Sequence, residues 1–243
     1  MRNFVRSLLA RRHYALVNLR VARSTKFLLP GHLMSMFAAR RVNCVLDVGA
    51  NRGDYGAMLR ASGYAGRIVS FEPASRPFEE VRARAAADRD WQVRKLALGA
   101  AADEAELNVF ASMDLNSFLR PNALAGDISG GGTRVAVAER VSVRTLDSEF
   151  DAAVRGIADP RVFLKLDTQG FDLEVLRGAR ESLPRVIGLQ SEVSFKPIYD
   201  GAPRYAEALA YYESLGFRLT GMFNVVEEER SGHVVEMDAV LFR

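Results

Sequence analysis

Five residues in the first third of the chain have types and spacing that could hold a nucleoside. Asp47, Gly49, Asn51 and Gly53 stand at alternate positions in the stretch VLDVGANRGDY (45–55), and Glu72 follows the apolar run Ile68-Val69-Ser70-Phe71. A strand running into a glycine-rich turn, a helix, and an acid at the tip of the next strand surround a sugar. The glycines let the backbone turn tightly, and the carboxylate accepts hydrogen bonds from a ribose diol. A second group, Lys165, Asp167 and Glu192, sets two carboxylates beside an ammonium late in the chain. Acids expected at the carboxyl tips of parallel strands lie at the edge where open α/β sheets bind ligands, and there they could take up a proton.

These side chains depend on the elements that carry them. Residues 43–48, 67–71, 91–98, 106–110, 135–143, 162–166, 186–190, 217–222 and 234–242 read as strands from their apolar runs and alternation. Helices are expected over 53–61 (ended by Gly63), 75–87 (capped by Ser75, with Pro77 in the first turn), 146–154, 171–179 and 203–214. Alternation of the two predicts a parallel sheet with helices on both faces. Residues 112–133, with Gly130-Gly131-Gly132, read as a long polar loop of the functional kind, and 227–232 as a hairpin turn. Upstream, Phe4, Val5, Leu8, Leu9, Leu16 and Leu19 recur at helical spacing and predict an amphipathic helix over 3–22. Leu28-Leu29-Pro30-Gly31 breaks it, and a short second helix is expected over 32–39.

The turn chemistry limits the ligand. A dinucleotide fingerprint starting at Gly49 would need glycines where Asn51 and Asp54 stand, and Asp54 would face the phosphates. No lysine follows as in a phosphate-binding Walker loop. The pattern present is D-x-G-x-N-x-G, which resembles the first motif of the class I methyltransferases, the enzymes that bind S-adenosylmethionine. That ligand has no phosphate and carries a sulfonium cation, so nearby carboxylates such as Asp47 and Asp54 attract it.

A longer segment narrows the resemblance. Residues 165–178 fit K-x-D-x-x-G-x-[DE]-x-x-x-L-x-G, and with VLDVGANRGDY, FEP at 71–73 and ALG at 97–99 the chain from about 44 to 243 resembles the FkbM-type methyltransferases. The resemblance implies a Rossmann-like, seven-stranded, mostly parallel sheet with an antiparallel last strand. It implies methyl transfer to a hydroxyl, on a sugar, glycolipid or secondary metabolite. It assigns Asp47, Gly49, Asn51, Gly53 and Glu72 to the cofactor, and puts Asn116 and Ser117 near cofactor or acceptor. In that chemistry Asp167 is the expected general base or acceptor anchor, Glu192 its partner, and Lys165 a charge that holds its surroundings. A divalent cation shared by Asp167 and Glu192 is a second route, not favoured because two carboxylates are a thin ligand set. Asp167 also lies where it could simply cap the following helix.

Composition bounds the rest. The chain has 243 residues, 49% of them hydrophobic, enough for one large α/β domain. Cys44 is its single cysteine, so no internal disulfide forms and a reducing, cytoplasmic compartment is expected. Residues 1–41 hold nine Lys and Arg and no Asp or Glu, whereas the whole chain is at +3, which leaves 42–243 at −6. The chain thus divides into a basic helical leader or cap (1–41) and a methyltransferase-like domain (42–243). The leader is read first as a cap against the acidic domain and second as a peripheral contact with an anionic membrane surface. No nucleic-acid-reading motif is present, so the expected partner is a small-molecule or glycan acceptor. None of His13, His32 and His233 falls at a strand tip, so a histidine-based pair is not expected, although a leader folded over the pocket would bring His32 close. The rival readings are a nucleotide-dependent oxidoreductase and a non-catalytic, membrane-associated binding module.

Overall fold

A computed structural model describes residues 25–110, 115–128, 135–228 and 231–243. The helix expected over 3–22 and the triple glycine at 130–132 lie outside them. Strands β1 (Cys44–Val48), β2 (Arg67–Phe71), β3 (Trp91–Arg94), β7 (Val162–Leu166), β8 (Val186–Ser194), β9 (Arg218–Glu227) and β10 (Val234–Phe242) form one sheet in the order β3-β2-β1-β7-β8-β10-β9. The first five run parallel, and β10 is antiparallel to both β8 and β9. This is the doubly wound, Rossmann-like α/β architecture with an antiparallel last strand.

Helices cover both faces because the buried strands are apolar on both. Every residue of β1 and β7 is buried. On one face Leu46, Leu164, Leu189 and Leu241 pack against helices α5 (Leu146–Ala153), α6 (Asp172–Arg177) and α7 (Tyr205–Ser214). On the other, Val45, Ile68, Phe163 and Val240 meet α1 (Leu29–Arg40), α2 (Asp54–Ala61) and α3 (Ser75–Ala85). The helix expected from 32 starts at Leu29 instead. Pro30 sits in its first turn, where no amide donor is needed, and Leu29, Leu33 and Phe37 make its buried stripe.

The strand expected over 91–98 is two strands in two sheets. After Arg94 the chain leaves β2, and β4 (Ala97–Leu98) joins a smaller sheet of order β4-β6-β5 with β5 (Asp103–Phe110) and β6 (Val135–Arg144). Arg94 is tied to Glu149 on α5, which fixes the departure point. Alternation cannot reveal such a change of partner, because both halves are extended. The small sheet has its own core of Ala97, Leu107, Val109, Val141 and Val143. It is pinned to the main body where α6 ends: a side chain at Gly178 would lie 2.0 Å from the Gly99 carbonyl oxygen. The loop expected over 112–133 contains helix α4 (Ala123–Ile128) and two isolated bridges, Asn108 to Ser117 and Pro121 to Tyr199.

Candidate active site

A cavity of about 620 Å³ opens above the carboxyl ends of β1, β2, β7 and β8, a size typical of small-molecule sites. Eight of the ten expected site residues line it: Gly49, Asn51, Glu72, Asn116, Ser117, Lys165, Asp167 and Glu192. Asp47 and Gly53 lie outside the lining, Asp47 beneath its floor and Gly53 against Val81 and Trp91.

At one end the turn after β1 folds over β2. Gly49 takes φ 76°, and a Cβ there would sit 2.0 Å from the Asp167 carbonyl oxygen, so the tips of β1 and β7 touch only because the side chain is absent. Asn51 is left-handed as well (φ 47°), a conformation asparagine tolerates better than most residues. Its amide donates to Glu72 Oε2 at 2.8 Å, and the Ala74 amide donates to Oε1 at 2.9 Å. Burial pushes the Glu72 carboxyl up to about 7 against the pull of those two amides. Phe71, Leu96, Leu98 and Leu107 supply apolar walls beside it. Gly53 has a packing role: it lies against Val81 and Trp91, where any side chain would collide.

Beneath the floor runs a polar row set by strand register. Ser70, Asp47, Lys165 and Gln190 are successive partners across β2, β1, β7 and β8. Asp47 is fully buried, accepts the Ser70 hydroxyl at 3.0 Å, and lies 3.2 Å from Lys165 Nζ. Lys165 Nζ also reaches Asp167 Oδ2 at 3.1 Å and the Gly49 carbonyl at 3.3 Å, and lies 5.2 Å from the centre of the Tyr55 ring. Burial pulls this ammonium down, but Asp167 and Asp47 outweigh it and hold its pKa above the ordinary lysine range. Asp47 therefore supports Lys165 from below and lies outside the cavity lining.

At the other end Asp167 keeps 37% of its side chain open to the cavity. Burial works to raise its carboxyl, yet Lys165 and hydrogen bonds from neighbouring groups hold it below the usual range. Glu192 goes the other way: burial, then repulsion from Glu236, Asp167 and Asp238, keeps its carboxyl well above the usual range. The two carboxyls meet at one Gln169 amide, and their surroundings push them in opposite directions, Asp167 down and Glu192 up. Glu192 was expected at a strand tip. Here β8 continues to Ser194 because β10 pairs with it as far as Glu236, and Glu192 projects from within the strand.

The sequence reading missed several neighbours. Gln169 Nε2 bridges Asp167 and Glu192. Asp172 accepts from Thr168 and Ser191 and holds the turn after β7. Glu236, its carboxyl raised to about 7 chiefly by burial, lines the cavity with Ile198, Val225 and Val226. Gln169 and Asp172 lay inside the long motif and could have been weighed as ligands of its acid. Nothing local marked Glu236. Ser117 is nearly buried, its hydroxyl donating to the Gln169 carbonyl and accepting the Leu119 amide, and Asn116 Oδ1 accepts the Phe110 amide. Both line the cavity while bracing the wall that carries them. His32 bonds Thr220 on β9 and is not part of the lining. Cys44 is buried core, its thiol pushed up to about 12 by burial.

The donor set fits a cationic nucleoside. A buried carboxylate faces the space at one end, apolar side chains flank it, and the lining holds Asp54, Glu72, Asp167, Glu192 and Glu236 against a single lysine already paired twice. Among the described residues no group of three or more His, Cys, Asp or Glu side chains is arranged to hold a metal ion.

Comparison with known proteins agrees with this chemistry. The methyltransferase FkbM domain matches residues 47–219. No curated protein matches the chain in sequence. Solved structures similar to it include an uncharacterized protein of Listeria monocytogenes serotype 4b (13% identity, TM-score 0.43, covering 82% of this chain and 61% of that one). Aeropyrum pernix fibrillarin with natively bound S-adenosyl-L-methionine is another (12%, 0.46, covering 82% and 66%). A third is the methyltransferase domain of bacterial CtHen1 (10%, 0.47, covering 89% and 98%). The chain spans less than two thirds of the length of the first two.

Proposed function

Because this chain belongs to the FkbM methyltransferase family and is an S-adenosylmethionine-dependent methyltransferase, we propose that it methylates a hydroxyl oxygen of a small-molecule or glycan acceptor. The acceptor enters the end of the cavity lined by Asp167, Glu192 and Glu236. One observation carries the reading: the Asp167 carboxyl, paired with Lys165, opens onto the cavity beside Glu192, across from the Glu72 end.

S-adenosylmethionine, when bound, supplies a methyl group already activated by its sulfonium. Glu72 would take the ribose hydroxyls, held in place by the Asn51 and Ala74 amides. Phe71, Leu96 and Leu98 would enclose the base, and the acidic lining would favour the positive charge. Asp167 accepts the acceptor's hydroxyl hydrogen bond and then its proton as oxygen attacks, which orients the nucleophile and removes charge from it. Lys165 keeps Asp167 ionised before that transfer, and Asp47 keeps Lys165 in place. Phosphate-bearing groups are disfavoured at this end by the surplus of carboxylates. No helix among the described residues is long and apolar enough to cross a membrane.

The test is to incubate the protein with methyl-labelled cofactor and a host cell extract and to identify the labelled product. Label on an oxygen of a neutral metabolite or glycan supports the reading. Label on nitrogen, carbon or nucleic acid overturns it.

A further inference from the structure

Every polar atom of the Gln169 side chain is engaged. Nε2 donates to Asp167 Oδ1 at 3.0 Å and to Glu192 Oε2 at 2.9 Å, which uses both amide protons. Oε1 accepts the Tyr199 phenol at 2.9 Å, and the same phenol lies 2.9 Å from the Leu115 carbonyl, so its proton is divided between two acceptors. The Gln169 carbonyl accepts the Ser117 hydroxyl at 2.8 Å. The residue is held left-handed at φ 53°, a strained conformation that a non-glycine residue adopts only when its surroundings demand it. Leu115 and Ser117 belong to the cavity wall, so one residue contacts both the acids and the wall.

We infer that Gln169 is a positioning residue: its amide fixes Asp167 and Glu192 relative to each other, and Tyr199 and Ser117 tie that amide to the 115–119 wall. The acid pair is then aligned only when this wall is seated on the cavity. The inference rests on reading Asp167 as the proton acceptor. Other charged or titratable groups facing the pair are Lys165 on β7, Glu236 and Asp238 on β10, and Asp172 on α6, with Asp47 on β1 behind Lys165. None of these links the acids to the wall.

The experiment uses the full chain labelled with ¹³C at aspartate and glutamate carboxyls, titrated by NMR, with Asp167→Asn and Glu192→Gln assigning the signals. Gln169→Met keeps the bulk and removes both donors. The expected result is an upward shift of the Asp167 titration by about one pH unit, the worth of a hydrogen bond to a charged group. Tyr199→Phe should move the same signal in the same direction by less. Calorimetric binding of S-adenosylhomocysteine should change less than about twofold in both, since the Glu72 end is untouched. An Asp167 titration that stays put in Gln169→Met overturns the inference, and so does a shift that comes only with loss of S-adenosylhomocysteine binding and of the melting transition. Undiminished label transfer by Asp167→Asn would instead overturn the proton-acceptor reading while the titration result for Gln169 still stood.

Discussion

The two ends of the cavity are built differently. The Glu72 end comes from one contiguous strand-turn-helix-strand unit, and its central carboxylate is held by two backbone amides. The Asp167 end is assembled from β7, β8, β10 and the segment around Tyr199, and the restraints on its two carboxyls run from side chain to side chain. Backbone restraints survive most substitutions. Side-chain restraints fail one at a time and couple to one another. The first end should thus tolerate change around it, and the second should be brittle.

The largest effect expected is at the brittle end. Asp167→Asn should lower label transfer about 10²–10⁴-fold, the usual worth of a general base, while calorimetry finds S-adenosylhomocysteine binding little altered. Lys165→Met should follow. It leaves Asp47 buried and Asp167 nearby without their cation, and breaking a buried pair costs about 3–5 kcal/mol, readable as an earlier denaturant midpoint. If the protein keeps its midpoint, the contrast between the two ends is lost.

The other end should respond more mildly and in binding alone. Glu72→Ala should weaken S-adenosylhomocysteine about 10–100-fold through loss of charge-assisted hydrogen bonds, with the melting temperature little changed. Its pH dependence has a definite sign. With its pKa raised to about 7, Glu72 is neutral below that pH and charged above it, so a ligand that prefers the anion binds more tightly as pH rises through 7. Below that point affinity should fall by up to about tenfold per unit, and Glu72→Gln should flatten the curve. The smallest effect belongs to neither end. Glu79→Ala removes an exposed partner of Arg82 on α3 and should shift stability by less than about 0.5 kcal/mol.

The same contrast explains what could be read from residues alone. Gly49, Asn51 and Glu72 were legible because turn chemistry and the acid after β2 act locally. The burial of Asp47 was not legible, because strand pairing, not motif spacing, sets it in the row with Ser70 and Lys165. Asp167 was legible from the 165–178 pattern. Glu236 was not, because only the antiparallel register of β10 on β8 brings it near Glu192. The split of 91–98 escaped for the same reason: sheet membership is decided by the partner strand, which no local window contains.

The contact between Gly178 and Gly99 has a dynamic consequence. Backbone meets backbone there, and the Asp147 amide donates to the Gly178 carbonyl while the Gly99 amide donates to Arg144. Hinging of the small sheet here would have to break the Asp147–Gly178 bond, so breathing is expected first on the opposite rim, around 115–128. Amide exchange should register that asymmetry as slow deuteration at Gly99 and Gly178 and rapid uptake along α4.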